Sequence, residues 1–181
     1  QEHLTAIRSP VLTGAGACGA FLYLEDGVPI RPAGFCNVNE LFEINAEQAA
    51  AVEVIRGPGN ALYGSNALHG TINVIPPRPD EVDGHLALET GSWDYYRGRA
   101  GGRLERGADV FAGWGHVEHD GGFRRRDGYD QAKLNLAWER RAAGVGALFS
   151  GTRLRQDTAG FITGFEAYKD SDRQKENPNP E

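Results

Sequence analysis

The clearest pattern in the chain is a strict alternation of apolar and polar residues in its second half. In "QAKLNLAWER", residues 131–140, Leu134, Leu136 and Trp138 alternate with lysine, asparagine and glutamate. A period of two places successive side chains on opposite faces of a β-strand. "HLALET", residues 85–90, repeats this pattern. The alternation therefore predicts strands that each carry one apolar face and one polar face.

A set of about five such strands, each roughly ten residues long, is predicted in this half of the chain. Short turns such as "ERGAD" and "RRAAG" alternate with longer polar links such as "DGGFRRRDGYD". One interpretation is a soluble antiparallel sheet with one wet face. The other is part of a transmembrane β-barrel, whose strands alternate lipid-facing and lumen-facing side chains. Trp93, Trp114 and Trp138 lie in or beside these strands, where the second interpretation expects an aromatic girdle.

The residues before this region show a more mixed pattern. "AFLYLEDGVPI" predicts a strand, a turn at Asp26-Gly27 and a short extended piece. "NVNELFEINAEQAAAVEVI" predicts a short helix that leads into a strand at Val52 to Ile55. The prolines and acids of "PPRPDEVDG", residues 76–84, are typical of a boundary. We therefore divide the chain into a domain at residues 1–80 and a second at residues 81–181.

Charge and composition narrow the class of protein. The 181 residues carry a formal net charge of -6, which argues against a general nucleic-acid partner. The one dense basic run, Arg124 to Arg126, is interpreted as a solvated turn. No stretch approaches the ~18 apolar residues of a membrane-spanning helix. Methionine is absent and no signal peptide is visible, so we interpret the sequence as a fragment or a processed chain.

The sequence contains short motifs typical of cofactor or metal binding, but the secondary structure predicted around each one does not suit that function. "GAGACG", residues 14–19, has the spacing of a dinucleotide-binding loop, but a predicted strand follows it instead of a helix. His116 and His119 are three residues apart, so a strand places them on opposite faces. No serine lies at a sharp turn between a strand and a helix, which is the setting of a nucleophilic serine in the G-x-S-x-G motif. We predict no enzyme activity, no cofactor and no metal.

The two cysteines, Cys18 and Cys36, leave two interpretations open. They are either reduced core thiols or one disulfide that closes a strand-and-turn loop. Such a bond would stabilise the fold by about 3 kcal/mol through the restricted unfolded state.

The glycine-rich segment "VEVIRGPGNALYGSNALHGTINVIP", residues 52–76, carries the most specific signal in the chain. It closely resembles the end of the plug domain of TonB-dependent outer-membrane receptors, and "FLYLEDGVPI" resembles an earlier plug strand of that family. The resemblance to the plug covers about residues 4 to 78. Among the positions that match, the plug-motif residues are Glu53, Arg56, Gly57, Pro58, Tyr63, Gly64, Gly70 and Asn73.

This resemblance implies a mostly β fold: a small α+β plug domain, then the antiparallel meander strands of an incomplete transmembrane β-barrel. It implies active uptake of a scarce ligand, such as an iron-siderophore or cobalamin, across the outer membrane of a Gram-negative bacterium. The implied partners are TonB, outer-membrane lipid and a small-molecule ligand such as a metal chelate. A TonB box is not present in the sequence, and the ligand is not identified. A soluble antiparallel β ligand-binding domain is the alternative.

Three residue-level expectations accompany the resemblance. A guanidinium in a polar lumen needs a carboxylate partner, so we expect Arg56 to pair with Glu53 or with a barrel glutamate. The oxidising periplasm favours the Cys18–Cys36 disulfide. Leu134, Leu136 and Trp138 are expected to contact lipid.

Overall fold

The computed structural model describes residues 21–31, 43–63, 67–157 and 159–178. The chain divides into two compact units, Gln1–Glu81 and Val82–Glu181. Each unit contains one β-sheet of its own within the described ranges.

The first unit contains a four-stranded mixed sheet. Its elements are β1 (Phe21–Glu25), β2 (Val28–Pro29), β3 (Ala51–Arg56), the helical turn α1 (Asn60–Tyr63) and β4 (Gly70–Ile75). The strand order is β2-β1-β4-β3, in which β1 and β4 run parallel and the other pairs are antiparallel. β1 and β2 form a tight hairpin because Asp26 and Gly27 both adopt positive φ.

Apolar side chains on both faces of β1 form the core of this unit. Leu22 and Leu24 pack with Ala67 on one face. Tyr23 packs with Ile44 and Val74 on the other. The alternation of strand side chains therefore places two separate clusters on the two sides of one sheet.

The second unit is an antiparallel meander of five strands. These are β5 (His85–Gly91), β6 (Tyr95–Arg106), β7 (Asp109–Asp120), β8 (Tyr129–Arg140) and β9 (Val145–Gln156), paired in chain order. Four of them have 12 residues. This length and the strict alternation in their sequences agree with the predicted two-faced strands.

The connections differ between the two ends of the meander. At the turn end, residues 107–108 and 141–144 make tight connections, with Gly107 and Gly144 at φ 61. At the loop end, residues 92–94 and 121–128 join the strands, and residues 157–178 follow β9. Apart from the three-residue link 92–94, the longer connections lie at the loop end, as the sequence predicted.

The mostly β fold class is confirmed, and the departures from prediction are local. The helix predicted before β3 falls partly on residues 32–42, outside the described residues. Within 43–50 the chain forms a 3-10 turn at Ala46–Gln48. The predicted boundary segment contains a second 3-10 turn, Pro79–Glu81.

Candidate functional site

The glycine-rich segment between β3 and β4 folds back on itself. Gly57 adopts φ +109°, a conformation that favours glycine, and its N–H donates to the His69 carbonyl at 3.0 Å. The Gly59 N–H donates to the Ala67 carbonyl at 2.8 Å. A Cβ on Gly59 would lie 3.0 Å from Thr71 Oγ1, so a larger residue here would require its neighbours to shift by a few tenths of an ångström. Backbone hydrogen bonds therefore join the two described ends of the segment, residues 57–59 and 67–69.

Two of the predicted plug-motif residues meet at one hydrogen-bonded hub. Glu53 and Asn73 are register partners on β3 and β4. Asn73 Nδ2 donates to Glu53 Oε2 at 3.3 Å, and the Gly27 N–H donates to Asn73 Oδ1 at 2.9 Å. Asn73 thus connects the β1–β2 turn, β4 and β3 through a single side chain.

Arg56 does not pair with Glu53, so that part of the expectation is wrong. The two residues are three apart on one strand, which directs their side chains to opposite faces. The Glu53 carboxylate accepts from Asn73 instead. Arg56 is exposed at the end of β3, and no carboxylate of the described ranges lies within ion-pair distance of it. A partner elsewhere in a longer receptor stays a prediction.

The structure describes three of the remaining plug-motif residues and does not describe the fourth. Pro58 follows the Gly57 turn, Tyr63 ends α1, and Gly70 begins β4 as the register partner of Arg56. Gly64 and the predicted disulfide pair, Cys18 and Cys36, lie outside the described residues.

The sheet of the second unit has an apolar face that is exposed. Register places Phe111 beside Trp138, and Leu136 beside Phe149, on this face. Leu134 and Leu136 are each almost half exposed, at 46% and 48%. Further exposed residues of the same face are Leu86, Leu88, Leu104 and Val117. The predicted lipid-facing leucines therefore lie on a broad exposed apolar surface, and lipid contact itself stays a prediction.

The opposite face of the same sheet is polar toward the loop end, and its residues on β7 and β8 are buried or half-buried there. Glu89 accepts hydrogen bonds from Arg97 Nη2 at 2.5 Å and from Arg99 Nη2 at 2.6 Å. Arg97 also lies 3.7 Å from Glu118, which accepts from the Tyr129 hydroxyl. Buried polar residues of this face on the neighbouring strands are His116, Gln131, Lys133 and Asn135. Charges that are paired and hydrogen-bonded tolerate such burial.

The three tryptophans of the second unit lie in three different places. Trp138 lies on the apolar face near the turn end, where its Nε1 donates to Asp109 Oδ1 at 3.0 Å. Trp93 lies in the turn at the loop end and contacts Phe123 edge-on, with ring centroids 4.9 Å apart. Trp114 is on the opposite face and only 3% exposed, packed with Val82 and Ala112. The expectation of a girdle position is therefore wrong for Trp114, because register turns it inward.

The basic run forms an exposed turn at Arg125 and Arg126, as predicted, but Arg124 makes hydrogen bonds that the sequence did not predict. Its guanidinium donates to the Gly160 carbonyl at 2.6 Å and to the Glu176 carbonyl at 2.7 Å. The Arg125 N–H donates to the Lys175 carbonyl. Arg124 thus fastens the link after β7 to the segment after β9. The sequence contains no signal for this contact because its partners lie 36 and 52 residues away.

His116 and His119 lie on opposite faces of β7, as their spacing predicted. His116 is buried and lies 3.4 Å from Gln131 Oε1. His119 is on the apolar-face side at the loop end, stacked on Tyr96 and 2.7 Å from Asp130 Oδ1.

No helix among the described residues is long and apolar enough to cross a membrane.

Comparison with known proteins finds a family model and a relative that match parts of this chain. Residues 5–71 match the TonB-dependent Receptor Plug Domain. The chain is 35% identical over 123 residues to the Vitamin B12 transporter BtuB of Vibrio vulnificus, covering 65% of this chain and 19% of that protein.

Solved structures show the same fold. The pyoverdine outer membrane receptor FpvA of Pseudomonas aeruginosa bound to pyoverdine aligns with a TM-score of 0.58 and 21% identity, over 76% of this chain and 21% of that one. The ferripyoverdine receptor of the outer membrane of Pseudomonas aeruginosa bound to ferripyoverdine aligns with a TM-score of 0.53 and 25% identity. That alignment covers 65% of this chain and 16% of the receptor.

The plug-domain match and the similarity to a vitamin B12 transporter support a TonB-dependent receptor fragment. The chain spans about a fifth of the length of the relatives it matches.

Proposed function

We propose that this chain is the plug and the first barrel strands of an outer-membrane receptor that imports a scarce ligand in a TonB-dependent manner. Residues 1–80 would form the plug and residues 81–181 the barrel strands. The outer membrane of a Gram-negative bacterium is the proposed location. The ligand class is a metal chelate of the siderophore type or cobalamin, since the related proteins named above are a vitamin B12 transporter and pyoverdine receptors.

The observation that carries this proposal is the reversal of faces in the five-stranded sheet. Leu86, Leu88, Leu134, Leu136 and Phe149 lie on the exposed face, and paired charges and amides lie on the opposite face toward the loop end. Toward the turn end that opposite face also buries Val110, Ala112 and Trp114. A soluble sheet buries its apolar face in a core. A strand in a membrane barrel directs apolar side chains to lipid and polar side chains to the lumen. The sheet follows directly after a plug-type sequence, which favours the barrel.

The arrangement also suggests an orientation. Barrels of this kind have short turns on the periplasmic side and longer loops outside. The turn end would then face the periplasm, and the links 121–128 and 157–178 would face the exterior. The Arg124 contacts would hold these two outer links together, on the side from which ligand arrives.

The role proposed for the first unit is to gate the lumen. TonB would pull on a segment outside this sequence and rearrange part of the plug. The turn at Gly57 and Gly59 is closed mainly by backbone hydrogen bonds, which exchange for water at low net cost when a segment opens. The hub at Asn73 holds the neighbouring strands together. We propose no catalytic role, because transport requires binding and movement only.

Uptake by the full-length receptor tests the function. Cells that lack their own receptors would express the complete reading frame, with ferric siderophores and cobalamin supplied as separate ligands. Import of one ligand is expected, with loss of import when TonB is deleted. Import that continues without TonB contradicts the proposal. So does a receptor that is compact, monomeric and stable without detergent, which would indicate a soluble ligand-binding β-domain.

Arg56 offers a test of the plug's attachment in the same cells. Replacement by alanine in the full-length receptor is expected to loosen the plug and to admit small solutes, because an arginine fork would lose its carboxylate partner. Arg78→Ala, a second plug arginine close to the boundary, is the matched control. Permeability and uptake that stay unchanged in Arg56→Ala would refute this role.

A further inference from the structure

The link 92–94, between β5 and β6, is a strained turn at the loop end of the second sheet. Trp93 and Asp94 adopt φ values of 64° and 59°. Left-handed φ at two successive residues suits glycine and asparagine, and it is strained for a bulky side chain such as tryptophan. A strained conformation of this kind persists only where the surrounding structure holds it. The order of this link therefore depends on its contacts with neighbouring elements.

Within the described part of the chain, three polar or aromatic contacts tie this turn to β7 and to the link 121–128. The Gly121 N–H donates to the Trp93 carbonyl at 2.9 Å. The indole of Trp93 meets the Phe123 ring edge-on. The third contact is an ion-pair distance of 3.8 Å between Asp94 Oδ2 and His119 Nε2. Of these three, the contact with His119 is the one that involves a side chain whose charge changes near neutral pH.

His119 lies between two carboxylates. Its Nδ1 is 2.7 Å from Asp130 Oδ1 on β8, and its Nε2 faces Asp94. A neutral imidazole carries one N–H, so it donates to only one of these two carboxylates. When that proton is on Nδ1, the lone pair of Nε2 points at the second negative charge. Imidazolium has an N–H on both nitrogens, so the protonated ring is the form that satisfies both contacts.

The charged and titratable groups that face His119 come from four neighbouring elements. They are Asp94 of the link 92–94, Tyr96 of β6, Asp130 of β8, and Arg153 and Arg155 of β9. Tyr96 stacks on the imidazole, with ring centroids 4.7 Å apart and an interplanar angle of 24°. Arg155 is the register partner of Asp130 and borders the same cavity of about 400 Å³ as His119. Tyr96 and Asp130 thus fix the position of the ring from both neighbouring strands.

We propose that His119 is a pH-dependent staple, which holds the strained link 92–94 to the sheet when the imidazole is protonated. As pH rises and the ring loses a proton, the attraction to Asp94 is lost and the link loosens. The bond to Asp130 keeps the ring in place in both states, because the neutral ring still donates from Nδ1. The contact therefore stabilises the link at acidic pH, and this stabilisation is lost toward alkaline pH. The inference goes beyond the proposed function, since it involves neither the transported ligand nor TonB.

The effect of the staple should extend to the next link. Gly121 and Phe123 of the link 121–128 both contact Trp93, so they lose support when the turn at 92–94 opens. Arg124 independently fastens that link to the segment after β9. We therefore expect the pH dependence to be largest at residues 92–94 and smaller at residues 121–128.

Hydrogen exchange of the detergent-solubilised full-length receptor, measured without ligand, tests the staple. Exchange is followed between about pH 5 and pH 8, the range in which histidine titrates. Each rate is corrected for the intrinsic pH dependence of amide exchange. Protection of the amides of the link 92–94 is expected to fall about two- to fivefold as pH rises across this range, the size expected of one exposed ion pair.

Three variants separate His119 from other titrating groups. His119→Gln is neutral at every pH in this range, and it should abolish the pH dependence at the link. Asp94→Asn keeps the shape of the side chain without its charge and should do the same. His85→Gln, at the turn-end start of β5, removes a different histidine of the same sheet and should keep the wild-type pH dependence.

Three outcomes would overturn the staple. They are wild-type protection that does not change with pH, protection that rises with pH, and a pH dependence that persists in His119→Gln or Asp94→Asn. Asp94 has an 80% exposed side chain, so Asp94→Asn keeps the test valid even where a change at His119 disturbs the sheet. Loss of ligand import by the wild-type receptor refutes the proposed function instead and leaves the exchange result unaffected.

Discussion

The two units of this chain differ in the side chains that their sheets bury and expose. In the first, most of the buried residues are apolar, among them Leu24, Ile44 and Val74. In the second, His116, Lys133 and Asn135 are buried beside apolar residues such as Trp114, while Leu86 and Leu88 are more than three-quarters exposed. The same strand alternation supplies both arrangements. Under the proposed barrel, the exposed apolar face of the second sheet would contact lipid, whereas the first unit buries its apolar side chains in a core.

The largest expected effect comes from removing a core side chain of the first unit. Leu24 is 1% exposed, and Leu24→Ala should destabilise the plug sheet by about 2–5 kcal/mol through lost burial and a cavity. Hydrogen exchange of the β1 and β4 amides in the full-length receptor measures this. Leu62→Ala, at a residue 84% exposed, should change the same exchange by less than about 0.5 kcal/mol. Similar effects at both positions would contradict the described core.

A charge on the exposed apolar face comes next. Leu136→Arg should destabilise the inserted receptor by about 2–4 kcal/mol, because a lipid-facing arginine near the midplane loses its hydration. Leu104→Arg, at the turn end of the same face, should cost only about 0–1 kcal/mol. Unfolding from lipid vesicles measures both. A tolerated charge at Leu136 would instead place this face in water and remove the contrast between the units.

The hub at Asn73 predicts a smaller loss within the plug. Asn73→Ala removes two hydrogen bonds and should cost about 1–2 kcal/mol at a typical net value for each. Glu53→Gln keeps an acceptor for Asn73 Nδ2 and should stay close to the wild type. Thermal unfolding of the full-length receptor, together with hydrogen exchange of the plug amides, measures these changes in stability. A larger loss in Glu53→Gln than in Asn73→Ala would contradict the hub.

The smallest effect on overall stability is expected at Arg124. Arg124→Gln breaks its bonds to the Gly160 and Glu176 carbonyls, so the segment after β9 should become more sensitive to protease. Global stability should change by less than about 0.5 kcal/mol, because β9 itself keeps its ladder with β8. Arg126→Gln is the matched control in the same link. Equal protease sensitivity in both variants would show that the contact with residues 159–178 does not depend on Arg124.

Much of the fold was predictable because it depends on local backbone geometry. The alternation in "QAKLNLAWER" fixed the strand and the sides on which Leu134, Leu136 and Trp138 lie relative to Lys133 and Asn135. The Asp26-Gly27 turn and the strand at Val52 to Ile55 followed from the same kind of local preference. The plug motif in residues 52–76 indicated the family.

Contacts between distant segments were not predictable in the same way. Glu53 and Asn73 were both singled out, but only the pairing of β3 with β4 made them partners and left Arg56 without Glu53. Trp114 was assigned to the wrong surface because alternation in a glycine-rich strand does not say which face turns inward. The contacts of Arg124 were not predicted, because its partners are backbone carbonyls and these do not depend on the side chain at either position.

The sequence by itself therefore determined that this chain has a plug-type first unit and a second unit of two-faced strands, because a period of two and a motif of fixed residue types are local properties. The tertiary structure decided which face is exposed, how Asn73 joins three strands, and that Tyr96, His119 and Asp130 from three strands lie side by side. These features depend on register, and register is set by the pairing of whole strands.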